Sequence, residues 1–245
     1  RPGTVAIAAA IQNKYGIQAV PHIICKGFTK EETEYALLDL NFLGINNLLL
    51  LRGDSKPLDI AEKDLCLYHE HATDLQEQVN RFNQGIGLDG SKIEGIETPF
   101  SYGMACYPEK HEEAPNMESD LFYLKEKVRN GADYVVTQMF FDNAKYFGFV
   151  AKAREMGITV PIIPGIKPLA VQRHLQILPQ IFRIDLPEDL IDAVDKCKTN
   201  ADVRQVGVEW AIQQSLELKA AGVPVLHYYS MGKSENIRQI ASKVF

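Results

Sequence analysis

A (β/α)8 barrel is the fold this sequence predicts, and three observations carry the prediction. Gly16, Gly44, Gly131, Gly157 and Gly222 each close a helical stretch and lead, within a few residues, into a short apolar run, as a helix C-cap before a strand requires. The runs do not alternate, which fits strands buried on both faces of a parallel sheet. No GxGxxG opens a helix after a strand, and this weakens the rival reading of an open dinucleotide-binding sheet.

The elements follow in order. Thr4 to Tyr15 reads as a helix, and the run Ile17 to Cys25 after Gly16 reads as the first strand. Thr29-Lys30-Glu31-Glu32 is a capping box, and the helix it opens puts Tyr35, Leu38 and Phe42 on one face. Leu48 to Leu51 is the second strand. The glycine-rich stretch Asn83 to Ser101 reads as a surface loop, and Phe100 to Tyr107 as a strand without a preceding glycine cap. Leu121, Leu124 and Val128 mark one face of a further helix before the strand Tyr134 to Gln138. Val160 to Ile163 and Val225 to Tyr229 are the last two strands, separated by a long, polar, helix-like stretch from Ile181 to Asp202. These are six strands, whereas the barrel has eight. The other two, with the helix between them, need roughly 30 or more residues ahead of Arg1. The sequence is therefore read as one catalytic domain over residues 1–245, a barrel lacking its first one or two strands.

The 245 residues carry 26 Lys and Arg against 32 Asp and Glu, a net charge of −6. That balance argues against nucleic acid or an anionic membrane as the main partner. No apolar run reaches the ~18 residues of a membrane span. Cys25, Cys66, Cys106 and Cys197 are scattered without a CxxC pair, which points to a reducing, cytoplasmic setting.

A barrel places its active site at the carboxyl ends of its strands. Those ends carry His22 and Cys25, Arg52-Gly53-Asp54, Tyr107-Pro108-Glu109-Lys110-His111, Gln138 to Asp142, Pro164-Gly165 and Tyr229-Ser230. Hydrogen-bonding groups thus collect at the ends of apolar strands, as a ligand mouth requires. Each has a plainer reading: Arg52-Gly53-Asp54 as a simple turn, His22 as a satisfied core histidine, Asp120 as a helix N-terminal charge. His69-Glu70-His71 is read as a solvated helix surface, because an i, i+2 pair does not share a helix face. No metal site is expected.

Leu48 to Asp54, Tyr107 to Pro115, Thr137 to Asp142 and Ile162 to Ile166 stand in an order and at intervals that resemble the methylenetetrahydrofolate reductase family from about Ala19 onward. The resemblance implies a (β/α)8 barrel that binds FAD and reduces 5,10-methylenetetrahydrofolate to 5-methyltetrahydrofolate for methionine synthesis, taking hydride from NADH or NADPH in a ping-pong sequence. It implies Asp54 and Gln138 as catalytic residues, Asp54 tuning the flavin and Gln138 hydrogen-bonding whichever substrate stacks on it. It implies a cofactor site of His22, Leu51, Arg52, Gly53, Asp54, Ala72, Ala105, Tyr107, His111, Asp120 and Lys127. Gln138, Tyr229 and Lys233 would bind substrate. The partners implied are small molecules and further copies of the chain, since the family commonly forms dimers or tetramers.

Four positions depart from the family pattern. The glutamate that serves as general acid on an early strand has no match here. Lys233 stands where an arginine usually meets the folate's glutamate tail, keeping the charge without the bidentate fork. Tyr123 and Glu126 stand where asparagine and arginine accompany Asp120. Two other readings compete: a flavin-free pterin- or folate-binding barrel of methyltransferase type, and an inactive fragment of the reductase.

Overall fold

The computed structural model describes residues 3–53, 62–96 and 98–245. Helices alternate with parallel strands in two compact units, one of residues 1–105 and 126–134, the other of residues 106–125 and 135–245.

The first unit runs α1 (Thr4–Tyr15), β1 (His22–Ile24), α2 (Lys30–Phe42), β2 (Asn47–Leu51), a 3-10 segment (Glu62–Leu67), α3 (Ala72–Asn83) and β3 (Ser101–Cys106). β1 pairs with β2 in parallel, Ile23 opposite Leu50, and β2 with β3, Leu48 opposite Tyr102. These side chains are fully or nearly fully buried, with Leu37, Leu75 and Phe82 closing the core. Burial on both faces is what the unalternating runs require. The Tyr102 hydroxyl ties α3 to β3: it accepts from Gln76 Nε2 at 3.1 Å and donates to Asn80 Oδ1 at 2.7 Å.

The second unit opens with α4 (Met117–Arg129), whose last turn belongs to the first unit, and continues through β4 (Tyr134–Met139), α5 (Asn143–Glu155) and β5 (Ile162–Ile166). Next come α6 (His174–Phe182), α7 (Glu188–Asp195), α8 (Asn200–Ala220), β6 (His227–Tyr228) and α9 (Ser234–Val244). β4 pairs with β5 and β5 with β6, again in parallel. Met139, Phe141, Leu169, Leu178, Leu190 and Val203 form its core.

All six expected strands form, three of them shorter than expected. The run from Ile17 yields a strand only at His22, because Pro21 has no N–H to give and only its carbonyl joins the ladder, accepting from Leu49 at 3.0 Å. Pro161 likewise delays β5 to Ile162. The five capping glycines all have positive φ, and Thr29 and Glu32 form the expected reciprocal cap.

One expected face is wrong. Tyr35, Leu38 and Phe42 are exposed, Phe42 at 89%, while Thr33, Ala36, Leu37 and Leu40 turn inward. The helix has apolar residues on two faces, and packing selects the one with smaller side chains. The long stretch from Ile181 resolves into the end of α6, all of α7 and the start of α8.

Candidate functional site

In the first unit, His22 is the first residue of β1 rather than its last, and it is exposed. The protein around it still lowers its imidazole pKa by desolvation, which keeps the ring neutral at pH 7. Cys25 follows the strand and donates its N–H to Leu51 O at 3.0 Å. Burial, reinforced by Asp74, pushes its thiol up to about 12, so it is no nucleophile.

Leu51 ends β2, and Arg52 and Gly53 carry the chain away from it. Gly53 has φ +93°, and a Cβ there would lie 2.5 Å from Ile24 Cγ2. Only glycine fits this exit from the strand. Asp54, the expected catalytic carboxylate, lies outside the described residues. Ala72 opens α3 behind a cap in which Asp74 accepts from the His71 N–H at 2.8 Å. Ala105 sits near the end of β3, and its carbonyl accepts from Lys127 Nζ at 3.2 Å. His22, Arg52, Ala105 and Lys127 are thus all carried on or beside neighbouring strands of one unit.

In the second unit, Tyr107 and His111 stand just after β3 with ring centroids 4.6 Å apart, edge to face. Asp120, in the first turn of α4, accepts from the His111 N–H at 2.8 Å. Gln138 lies on β4, half-buried. Its Oε1 accepts from the Met139 N–H at 3.0 Å, which orients the carboxamide and leaves its NH2 as the donor. Tyr229 follows β6, donating its N–H to Ile166 O at 2.9 Å and its hydroxyl to Thr137 O at 2.8 Å. The ring rather than the hydroxyl is therefore what Tyr229 offers a ligand. That ring covers Gly165, where a Cβ would meet Tyr229 Cε2 at 2.7 Å. Lys233 is the exposed N-cap residue of α9.

His69 is a core residue, not part of a solvated helix surface. It is 6% exposed, and its Nε2 pairs with Gln78 Oε1 at 2.5 Å. It borders a cavity of about 670 Å³ in the first unit, lined also by Lys30, Asp74 and Arg81, that shares no residue with the expected cofactor set.

Glu109 is a functional candidate left unassigned by the sequence reading. Its Oε2 accepts from the Asp185 N–H at 2.7 Å, while Oε1 is buried without a partner. Desolvation raises its carboxyl from 4.5 to about 7. The native state therefore holds this proton where the unfolded chain has lost it, and stability falls as pH rises toward and through about 7. Between about pH 5 and pH 8 that loss is on the order of 1–2 kcal/mol after solvent screening. Glu109→Gln, which keeps an acceptor for Asp185, is expected to remove this part of the pH dependence. Denaturant melts of both proteins at the two pH values check it, and parallel curves would contradict it.

The described residues thus define an α/β protein built on parallel strands, with polar and aromatic groups at the strand ends of each unit. Its sequence matches that of the methylenetetrahydrofolate reductase family over residues 1–244, and the chain belongs to that family. It is 31% identical over 239 residues to a probable methylenetetrahydrofolate reductase (NADPH) of Caenorhabditis elegans, covering 96% of this chain and 33% of that protein. A methylenetetrahydrofolate reductase (NADH) of Zea mays is 30% identical over 247 residues, covering 95% and 39%. The 5,10-methylenetetrahydrofolate reductase of Escherichia coli is 28% identical over 236 residues, covering 96% and 73%. The chain thus spans a third to two-fifths of the eukaryotic relatives and nearly three-quarters of the bacterial one. Among solved structures, a Clostridium thermocellum protein described as binding two copies of 5-methyl-5,6,7,8-tetrahydrofolic acid shares the fold. The match has TM-score 0.58 and 16% identity, and covers 95% of this chain and 75% of that one.

Proposed function

We propose that this chain is the catalytic part of an FAD-dependent reductase. It would convert 5,10-methylenetetrahydrofolate to 5-methyltetrahydrofolate with hydride from NADH or NADPH, in the cytoplasm and on the way to methionine. The reading includes closure of the parallel strands into a (β/α)8 barrel within one catalytic domain, and assembly into a homo-oligomer. The observation that carries it is family membership over nearly the whole chain, together with the strand-end residues described above.

The donor set suits a flavin dinucleotide. Lys127, anchored on Ala105 O, and Arg52 supply cations for a diphosphate. Asp120, already held by the His111 amide, supplies a carboxylate for a ribose hydroxyl. Tyr107 and His111 supply rings for an aromatic system. Leu51, Gly53, Ala72 and neutral His22 would line the rest. When bound, FAD would accept a hydride from the nicotinamide and pass one to the folate.

The chain's own residues do the positioning. Gln138, its oxygen fixed by the Met139 amide, would donate its NH2 hydrogens to whichever planar substrate occupies the stacking position. Holding both reactants in turn at one place supplies rate through orientation rather than through charged catalysts. Asp54 would disfavour negative charge building up on its neighbour and favour a cationic folate. Tyr229 would present its ring and Lys233 a cation to the substrate's far end.

The test is turnover. The purified chain, supplied with FAD, methylenetetrahydrofolate and NADH or NADPH in separate reactions, is expected to release 5-methyltetrahydrofolate identified by mass. Folate binding without product and without flavin uptake would favour the flavin-free reading instead.

A further inference from the structure

Lys167 directly follows β5 and is only 9% exposed. Among the described residues it makes no hydrogen bond and no ion pair, and burial lowers its ammonium pKa. Two buried polar side chains nearby do have partners: Thr137 accepts from Gly165 N–H at 2.8 Å, and Gln214 donates to Phe140 O at 3.0 Å. The stem is buried while the ammonium reaches the surface without a counter-charge, which leaves it open to an anionic ligand.

A second donor stands in its field. His174, the first residue of α6, accepts the Ala170 N–H on its Nδ1 at 3.2 Å. Burial and the charge of Lys167 lower its imidazole pKa, so the ring is neutral at pH 7 with its proton on Nε2. No partner for that Nε2–H stands among the described residues. Among the described residues no carboxylate contributes to the shift of either group, and the charge of Lys167 acts on His174. Both belong to the segment leaving β5, whose last residue Ile166 pairs with Tyr228 and accepts from Tyr229. The two donors therefore lie on the segment that leaves the carboxyl end of β5.

We propose that Lys167 and His174 form an anion site that takes a carboxylate or phosphate group of the bound ligand. The ammonium supplies the charge, and the imidazole Nε2–H supplies a directed hydrogen bond to a second oxygen. The identity of the anion rests on the reductase reading: a folate offers carboxylates on its glutamyl tail, and a nicotinamide dinucleotide offers phosphates. The site itself does not rest on that reading.

Calorimetric titration of the wild type and Lys167→Met with inorganic phosphate, 5-methyltetrahydrofolate and NAD⁺ tests the proposal. Phosphate is expected to bind the wild type weakly and the variant at least tenfold more weakly. The ligand whose anion occupies the site should lose about tenfold or more, and the other should be unchanged, which separates the two sources. Binding of all three probes unaffected by Lys167→Met would overturn the proposal. Phosphate binding that depends on Lys167, with no folate or NAD⁺ binding at all, would leave the site standing and remove the reductase reading. A readout on the wild type alone covers the case of a variant that does not fold. An anion beside a lysine whose pKa burial has lowered raises it again, so phosphate binding should take up protons over the alkaline range below the lysine's ordinary titration. Binding without proton uptake across that range would also overturn the proposal.

Discussion

Gly207→Ala is expected to be among the most destabilising single-methyl additions in the second unit. A Cβ at this position in α8 would lie 2.1 Å from Leu169 O, 2.6 Å from Leu169 N and 2.8 Å from Leu169 C. These are backbone atoms, which no rotamer change can move aside. The helix must back away from the segment after β5, opening the core around Leu169, Leu178 and Val203. Overpacking alone costs about 1–3 kcal/mol. Because the clash is with main chain, a loss above about 3 kcal/mol is expected, or roughly 6–12 °C in thermal midpoint for a chain of this size. Gly148→Ala is the control. It sits in α5 with nothing within 4 Å of the added Cβ, so the change is expected to stabilise by about 0.5–1 kcal/mol through helix propensity. Thermal melts of both variants check the pair, and equal midpoints would contradict the packing described for α8.

The second large effect is on activity. Gln138→Ala is expected to lower kcat/KM by about ten- to hundredfold with little change in thermal midpoint. Gln138 is half-buried, and among the described residues its side chain bonds only to the adjacent Met139 amide, so removing the carboxamide opens no core cavity. In the proposed mechanism its loss would fall on the orientation of the stacked substrate. Steady-state kinetics with the nicotinamide and folate varied in turn should show both half-reactions impaired, because one residue serves both. Unchanged kinetics would remove Gln138 from the site.

Much of the architecture was written locally. Helix C-caps demand a left-handed residue, so the five glycines mark where helices hand over to strands, and Thr29 with Glu32 marks where α2 begins. Strand lengths were less legible, because Pro21 and Pro161 break the hydrogen-bond ladder inside runs that hydropathy alone would join. The buried face of α2 was hidden for a different reason. Its larger residues Tyr35, Leu38 and Phe42 advertise a core, but the space beside it admits only Ala36, Leu37 and Leu40.

The site divides in the same way. Arg52, Gly53, Tyr107, His111 and Gln138 could be named as candidates because polar residues at the ends of apolar strands stand out in sequence. Glu109, Lys167 and His174 could not be singled out. Their interest lies in desolvation and in missing or committed hydrogen bonds, which are properties of the surrounding fold and not of neighbouring letters. A lysine straight after a buried strand was the one available hint, since lysine is rarely buried unless paired.

The visible spectrum of the purified protein through two half-reactions tests the central claim most directly. With FAD bound and oxygen excluded, NADH or NADPH alone is expected to bleach the flavin bands, and methylenetetrahydrofolate added afterwards to restore them. A protein that binds no flavin, or one whose bleached bands do not return with the folate, would contradict the account.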